Sequence, residues 1–203
     1  VSGFGSDGPW GGHPGYDAII QAMAGWFSIN GEAGSKPTRL GLAMVDMGTG
    51  LYSAVAILMA MAEREKSQKG QYLDMTLYDC AVSLMHPHIP NYLYSGDVPV
   101  ATGNAHPNIS PYDTFRTKTV DIFVGAGNNR AYAKMCVELG REELISDSRF
   151  LNNIDRVTNR DDLKAEIESS LMKIDGSEIA DRLANAGLAA GAIHDTAQVV
   201  ESA

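Results

Sequence analysis

The chain has 203 residues, a formal net charge of −9 and 44% hydrophobic residues, enough to bury a core in one large domain or two modest ones. An acidic balance with no clustered basic face excludes a protein that gains affinity by neutralising many nucleic-acid phosphates. Cys80 and Cys136 have no CxxC spacing, which argues against a disulfide framework or zinc site and points to a reducing, cytoplasmic setting.

Residues 1 to 36 are rich in glycine, and Gly3, Gly5, Gly8, Gly11, Gly12 and Gly15 imply unusual backbone angles or close approach to something. "DAIIQAMAGWF" predicts a helix with Asp17 as N-cap and Ile20, Met23, Ala24 and Phe27 on its packing face. After the turn "NGEAGSKPT", the apolar run from Leu40 to Val45 predicts a buried strand, and Asp46 follows it directly. From about Thr49 to Glu65 a helix apolar nearly all round in its first three turns predicts a core helix inside a protein layer. Its longest apolar run, Leu51 to Ala62, is too short for a bilayer span, so no membrane partner is expected. Gly70 is the expected left-handed end of that helix. "QYLDM" alternates like a strand, and "TLYDCAVSLMHPHIPNYLYSG" returns to helical spacing through Leu77, Ala81, Leu84 and His88 until Pro87 and Pro90 disturb it.

Strand, helix, strand, helix is the order of an α/β layer fold. After Gly96 the character changes. "DVPVATGNAHPNISPYDTF" is a loop-rich connection, and "VDIFVGAGNNRAYAKMCVELG" predicts strand, turn and helix. Shorter amphipathic helices follow, with Leu163, Ile167 and Leu171 on one and Ile179 and Leu183 on the next, closed by Gly187. Residues 1–95 are therefore assigned to part of a large α/β domain with Rossmann-like layers. Residues 96–203 are assigned to a linker and a smaller α+β domain that starts near residue 103. A start without methionine and an end inside a helical pattern predict an internal piece of a longer polypeptide.

A residue that ends a strand and opens a helix lies at the carboxyl edge of a sheet, where open α/β folds place ligands. There Asp46 meets the positive end of the helix dipole and unpaired N–H groups, a setting that favours an anion. Taken by itself, a plain N-cap is the better explanation of an aspartate there, since aspartate is among the best capping residues. Gly48 and Gly50 tip the balance, because they remove side chains where a reactant would have to approach.

Six stretches, "SGFGSDGPW", "PGYDAIIQAMAG", "VDMGTGLYSAVAILMAMAERE", "KGQYLDMTLYD", "GNAHPNISPYDTF" and "SRFLNNIDRVTNRDDL", occur in an order and spacing that resemble the class III coenzyme A transferases, the CaiB/BaiF family. The resemblance runs through essentially the whole chain. It implies that Asp46, with Thr49 and Gly50 in a D-x-x-T-G segment, is a nucleophile. The aspartate would take the acyl group of an acyl-CoA as a mixed anhydride and pass CoA to a free carboxylic acid, which is covalent catalysis without a permanently bound cofactor. It also implies an interlocked homodimer in the intact protein. Oxyanion donors are expected from the glycine-rich turn at Gly48, Thr49 and Gly50 or from the loop 103 to 112.

The same family contains α-methylacyl-CoA racemases, which carry a histidine where this sequence has Tyr16. A phenol, whose ordinary pKa is about 10, is a poor second base at neutral pH, so Tyr16 favours transferase over racemase. A catalytically silent piece that serves only assembly is the third reading. His106, on a loop that the resemblance puts near the acyl-transfer centre, is a substrate-binding candidate. Arg64, Lys66 and Lys69 are candidates for the CoA phosphates, although a solvated helix end explains such a run as well. His86 and His88 in "HPHIP" read as packing at a kink, and no metal site is expected. "GAGNNR" mimics a dinucleotide fingerprint but lacks its third glycine, so Asn128 and Asn129 are read as helix caps.

Overall fold

A computed structural model describes residues 1–202. The chain is of the α/β class, helices with a small antiparallel sheet, and divides into two compact units, Val1–Gly103 and Asn104–Ala203.

In the first unit, α1 (Asp17–Met23) and α2 (Trp26–Ile29) are separated by Gly25, which takes a left-handed conformation. Glycines 3 and 15 let two backbone segments touch. A Cβ at Gly3 would lie 2.7 Å from the Gly15 backbone, and one at Gly15 would lie 2.8 Å from Gly3 Cα. The close approach expected from these glycines is thus of the chain to itself. Ile20 and Ala24 are buried with Val45, Leu77 and Ala81, whereas Met23 is exposed.

Two expected strands do not form. Residues 40 to 43 run without strand pairing into α3 (Met44–Ser67), because the side chain of Gln21 takes the hydrogen bonds that a neighbouring strand would supply. The Leu40 N–H donates to Gln21 Oε1 at 3.1 Å, and Gln21 Nε2 donates to the Leu42 carbonyl at 3.1 Å. "QYLDM" leads to a single parallel bridge, Ser2 with Thr76. There the Ser2 N–H donates to the Met75 carbonyl and the Leu77 N–H to the Ser2 carbonyl.

The helix α3 has 24 residues, about 36 Å at about 1.5 Å per residue. It is not the buried core helix that its composition suggests. Its buried residues, Val45, Gly48 and Thr49, all lie in the first two turns, where α1 and α4 (Leu77–Ser83) pack against it. Beyond them Leu51 is 71% exposed, Leu58 65% and Met59 67%. By length and composition alone this helix is long and apolar enough to cross a bilayer, because the helical segment is twice as long as its uninterrupted apolar run. It ends at Gln68 (φ 56°) rather than at Gly70. Gln68 satisfies the last turn itself, its N–H donating to the Arg64 carbonyl and its side-chain amide to Glu65. The helix α5 (His88–Ser95) closes on Gly96.

The second unit carries β1 (Tyr112–Phe115), β2 (Ile122–Gly125) and, after four helices, β3 (Ala189–Ala192), in the order β1-β2-β3 and antiparallel throughout. The helices are α6 (Asn129–Glu138), α7 (Asn153–Thr158), α8 (Arg160–Leu171) and α9 (Gly176–Asn185); α10 (Thr196–Glu201) ends the described chain. Asn128, not Asn129, caps α6, its side chain accepting from the Ala131 N–H at 2.8 Å. The expected apolar positions Leu163, Ile167, Leu171, Ile179 and Leu183 are all buried against Phe115, Ile122, Val124 and Phe150. Gly187 follows α9 with φ 80°, and the Leu188 N–H returns to the Leu183 carbonyl.

Candidate active site

Asp46 is the third residue of α3, and its side chain is exposed. The helix begins after Ala43, whose side chain offers no cap, so its first N–H groups need an outside acceptor. Asp17 supplies it. Asp17 opens α1 as its first residue, with Tyr16 in the N-cap position, so the expected cap of its own helix is instead the cap of another. One carboxylate oxygen accepts from the Val45 N–H at 2.8 Å and from the Asp46 N–H at 3.2 Å. The other accepts from Gln21 Nε2 at 2.6 Å. Both Asp17 and Gln21 are buried. A buried carboxylate at a helix N-terminus is stabilised by the same partial positive charge that it neutralises. The main chain of Asp46 is thereby pinned while its side chain faces outward.

Tyr16 directly precedes this clamp, with its ring 78% exposed, so the structure brings Tyr16 and Asp46 to one end of α3. Thr49 is buried, its hydroxyl donating to the Val45 carbonyl at 2.7 Å. It braces the first turn of α3. Gly48 allows close packing rather than reactant access, since a Cβ there would fall 2.6 Å from Leu84 Cδ1; Gly50 faces open space. Because 48 to 50 lie inside α3 and not in a turn, their N–H groups belong to the i→i−4 ladder. They are not the oxyanion donors expected from the sequence.

Arg64 and Lys66 sit in the last turn of α3, where cations complement the helix dipole, and Lys69 lies just beyond. Arg64 is about 27 Å along the axis from Asp46, 18 residues at about 1.5 Å each. The structure therefore does not gather these three basic residues with the carboxylate.

His106 belongs to the second unit and is half-buried on the loop before β1. Its N–H donates to the Tyr112 carbonyl, and its ring meets the Tyr112 ring edge-on at 5.3 Å. Its Nδ1 accepts from the Asn108 N–H at 3.1 Å. The loop is fastened from α7 and α8 by Asn153, Arg156 and Arg160. Arg156 is fully buried, its guanidinium 4.5 Å from the Tyr132 ring centre, and burial lowers its pKa.

Sequence reasoning missed Asp17, Gln21 and Arg156 as organising residues. The available signal was position: 17 and 21 share a helix face with Ile20 and Ala24, so polar groups there must be buried and paired.

The sequence matches CoA-transferase family III over residues 1–203, and the chain belongs to that family. It resembles a succinate–glutarate CoA-transferase of Agrobacterium fabrum, at 36% identity over 85% of this chain and 43% of that protein. An acetyl-CoA:oxalate CoA-transferase of Acetobacter aceti is 32% identical over 97% of this chain and 51% of that protein. Among solved structures, a CaiB/BaiF family protein from Brucella suis superposes with a TM-score of 0.78 at 38% identity, covering 98% of this chain and 53% of that one. A Mycobacterium tuberculosis protein gives 0.86 at 29% identity, covering 98% and 53%. The chain thus spans about half the length of the relatives it matches.

Proposed function

We propose that the protein carrying this chain transfers CoA from an acyl-CoA to a free carboxylic acid, with Asp46 as the covalent carrier. The observation that carries this reading is an exposed carboxylate in the first turn of α3 whose main chain is pinned by the buried Asp17, in a chain that matches the transferase family from end to end. A nucleophile needs a free side chain on a fixed backbone, so that little orientational entropy is lost when it attacks.

In the first step an Asp46 oxygen bonds to the acyl carbon as the C–S bond breaks, giving a mixed anhydride and CoA thiolate. The thiolate then attacks the Asp46 carbonyl, releasing the donor acid and leaving an aspartyl-CoA thioester. The incoming carboxylate attacks that thioester and frees the thiolate again. Attack of the thiolate on the new acyl carbon forms the product acyl-CoA and restores Asp46. Tyr16, at the same end of α3, is suited to donate a hydrogen bond to a carboxylate or tetrahedral oxygen. The two transferase relatives are named for succinate, glutarate and oxalate, and we extend that class, small dicarboxylic acids, to the substrates here.

The exposed apolar face of α3 supports an assembly in which protein covers it, and we assign the intact enzyme to a homodimer. Glu63, Arg64, Glu65 and Lys66 make the end of this helix strongly polar, which suits a helix that emerges from a protein layer. A panel of acyl-CoAs and acids, with hydroxylamine trapping and mass spectrometry, tests the chemistry. The expected result is hydroxamate at residue 46 and loss of turnover by about 10³-fold or more in Asp46→Asn. Label at another residue, or an active asparagine variant, would overturn the assignment.

A further inference from the structure

The loop near the start of the first unit folds tightly back on itself. Gly5 (φ 83°) and Gly12 (φ 77°) take left-handed conformations, and the Gly12 N–H donates to the Gly5 carbonyl at 3.0 Å, so residues 5–12 close into a ring. A Cβ at Gly11 would fall 2.6 Å from the Asp7 carbonyl oxygen, so the chain can pass there only without a side chain. The start of α4 is tied alongside, the Leu77 N–H donating to the Ser2 carbonyl at 2.9 Å and the Tyr78 N–H to the Gly3 carbonyl at 3.1 Å.

These ties bring together three aromatic rings from two stretches of the chain. The ring centre of Phe4 lies 5.8 Å from that of Trp10 and 5.8 Å from that of Tyr78, and Trp10 and Tyr78 are 5.3 Å apart. Interplanar angles of 58°, 38° and 69° make them inclined walls rather than a stack. They border a cleft of about 470 Å³ within the first unit, in the range of small-ligand sites, roughly 300–1,000 Å³. Trp10 remains 41% exposed although it packs on two rings.

The charge around the cleft has one sign. Asp7, Asp74 and Asp79 border it, and none of its lining residues is Lys, Arg or His. The Thr76 hydroxyl holds Asp79, donating to its Oδ2 at 2.6 Å, and Asp74 Oδ2 lies 3.9 Å from where a Cβ on Gly5 would stand. Aromatic faces carry the negative lobe of a quadrupole, so rings and carboxylates alike attract a cation and repel an anion. Carboxylates and the phosphates of CoA have the wrong sign for this cleft. A metal ion is a poor match, because the described residues contain no group of three metal-ligating side chains and the rings would go unused. An ammonium carrying alkyl groups uses both kinds of wall.

We propose that this cleft binds a small organic cation of the alkylammonium class, with Phe4, Trp10 and Tyr78 against its alkyl groups and Asp7, Asp74 and Asp79 supplying the opposite charge. The cleft lies within the first unit and is not lined by Asp46, so it stands apart from the transferase reading.

The test uses the full polypeptide that carries this sequence, with choline as the probe and its neutral isostere, carbon in place of the quaternary nitrogen, as the control for shape. In isothermal titration calorimetry choline should saturate one site per chain, and the isostere should bind at least about tenfold more weakly. Raising the ionic strength from about 0.01 M to about 0.1 M should weaken choline and leave the isostere unchanged. Trp10→Ala should weaken choline about tenfold or more, Trp10→Phe should keep most of the affinity, and Asp74→Asn should lose about threefold or more. If Trp10→Ala does not fold by circular dichroism, Asp74→Asn, at an exposed position, carries the comparison. No saturable choline binding, equal affinity for the two probes, or full affinity in Asp74→Asn together with Trp10→Ala would overturn the proposal. Asp46→Asn should bind choline within about twofold of the unaltered protein whatever its turnover, so the transferase reading and this one fail by different measurements.

Discussion

The two units use similar amounts of apolar sequence to different ends. In residues 104–202 the sheet and helices close on one another, and Phe115, Ile122, Phe150, Leu163, Ile179 and Leu183 are each at most 2% exposed. In residues 1–103 the buried apolar cluster is small, Ile20, Ala24, Val45, Leu77 and Ala81, while α3 displays Leu51, Val55, Leu58 and Met59. Side chains nonetheless tie down two helix starts in the first unit. Asp17 and Gln21 meet the open groups of segment 40–46, and the Thr76 hydroxyl accepts from the Asp79 N–H at 3.0 Å to cap α4. Backbone satisfaction and side-chain burial are therefore separate achievements. Helices can be well capped and correctly begun while their apolar face still lacks a cover, and most of a helix's stability comes from that cover.

The sharpest way to break this comparison is to separate the units. Residues 104–203 expressed alone should unfold cooperatively in urea, because their core is internal. Residues 1–103 alone should bind a hydrophobic dye such as ANS and show a broad transition or none, since Leu51, Val55, Leu58 and Met59 stand exposed on one helix. A cooperative, dye-silent, monomeric 1–103 fragment would show that the contrast between the units is wrong.

A smaller effect sharpens the same point at single residues. Leu163→Ala should destabilise the 203-residue chain by about 2–5 kcal/mol, as expected for a large-to-small change in a closed core. Leu58→Ala, at an exposed position, should change the stability of this chain by less than about 0.5 kcal/mol. In the full polypeptide, assembled as the homodimer proposed above, the same Leu58 substitution should cost more than about 2 kcal/mol, because a covered side chain would then leave a cavity. Equal, small effects of Leu58→Ala in both forms would mean that α3 remains open in the assembly.

The sequence was most legible where one spacing rule decided the outcome. Leu163, Ile167 and Leu171 recur at helical intervals, and α8 buries them; Ile179 and Leu183 do the same on α9. It was least legible where a side chain from elsewhere replaced a backbone partner. Leu40 to Val45 looks like a strand by composition, and only the buried amide of Gln21 prevents it from needing one. The strands β1, "YDTF", and β3, "AAGA", are four residues each, too short for alternation to register, and β3 has no large side chain to alternate. At the candidate site the sequence pointed to Asp46 at the head of a helix but not to what holds it there. An aspartate opening α1 reads as a cap for α1, and nothing local reveals that Asp17 reaches 28 residues along the chain to Val45. Gly48 misled for a related reason. A missing side chain looks the same in sequence whether it makes room for a ligand or for Leu84.

The smallest expected difference between the units is in their response to acid. The second unit ties carboxylates to arginines. Glu166 accepts from Arg141 at 2.7 Å and from Arg149 at 3.3 Å, and these hydrogen bonds hold its pKa below the usual range. Burial works to raise the pKa of Glu168, but hydrogen bonds from the Arg116 side chain and backbone outweigh it, and the net shift is downward. In the first unit Arg64 pairs with Glu65, 4.0 Å apart at an exposed helix end. A carboxylate whose pKa is lowered by folding binds its proton more readily in the unfolded chain, so its contribution is present above about pH 4.3 and is lost as pH falls further. Arg116 is 71% exposed, so solvent screening keeps the contribution of this pair small. Urea midpoints of residues 104–203 should therefore hold steady from pH 7 to about pH 5 and fall by pH 3, with a shallower fall in Glu168→Gln, which has already lost the charge. A fall of the same size in that variant would assign the acid sensitivity to other groups. A flat profile would mean that these arginine pairs, however well formed, contribute no net stability to the core they surround.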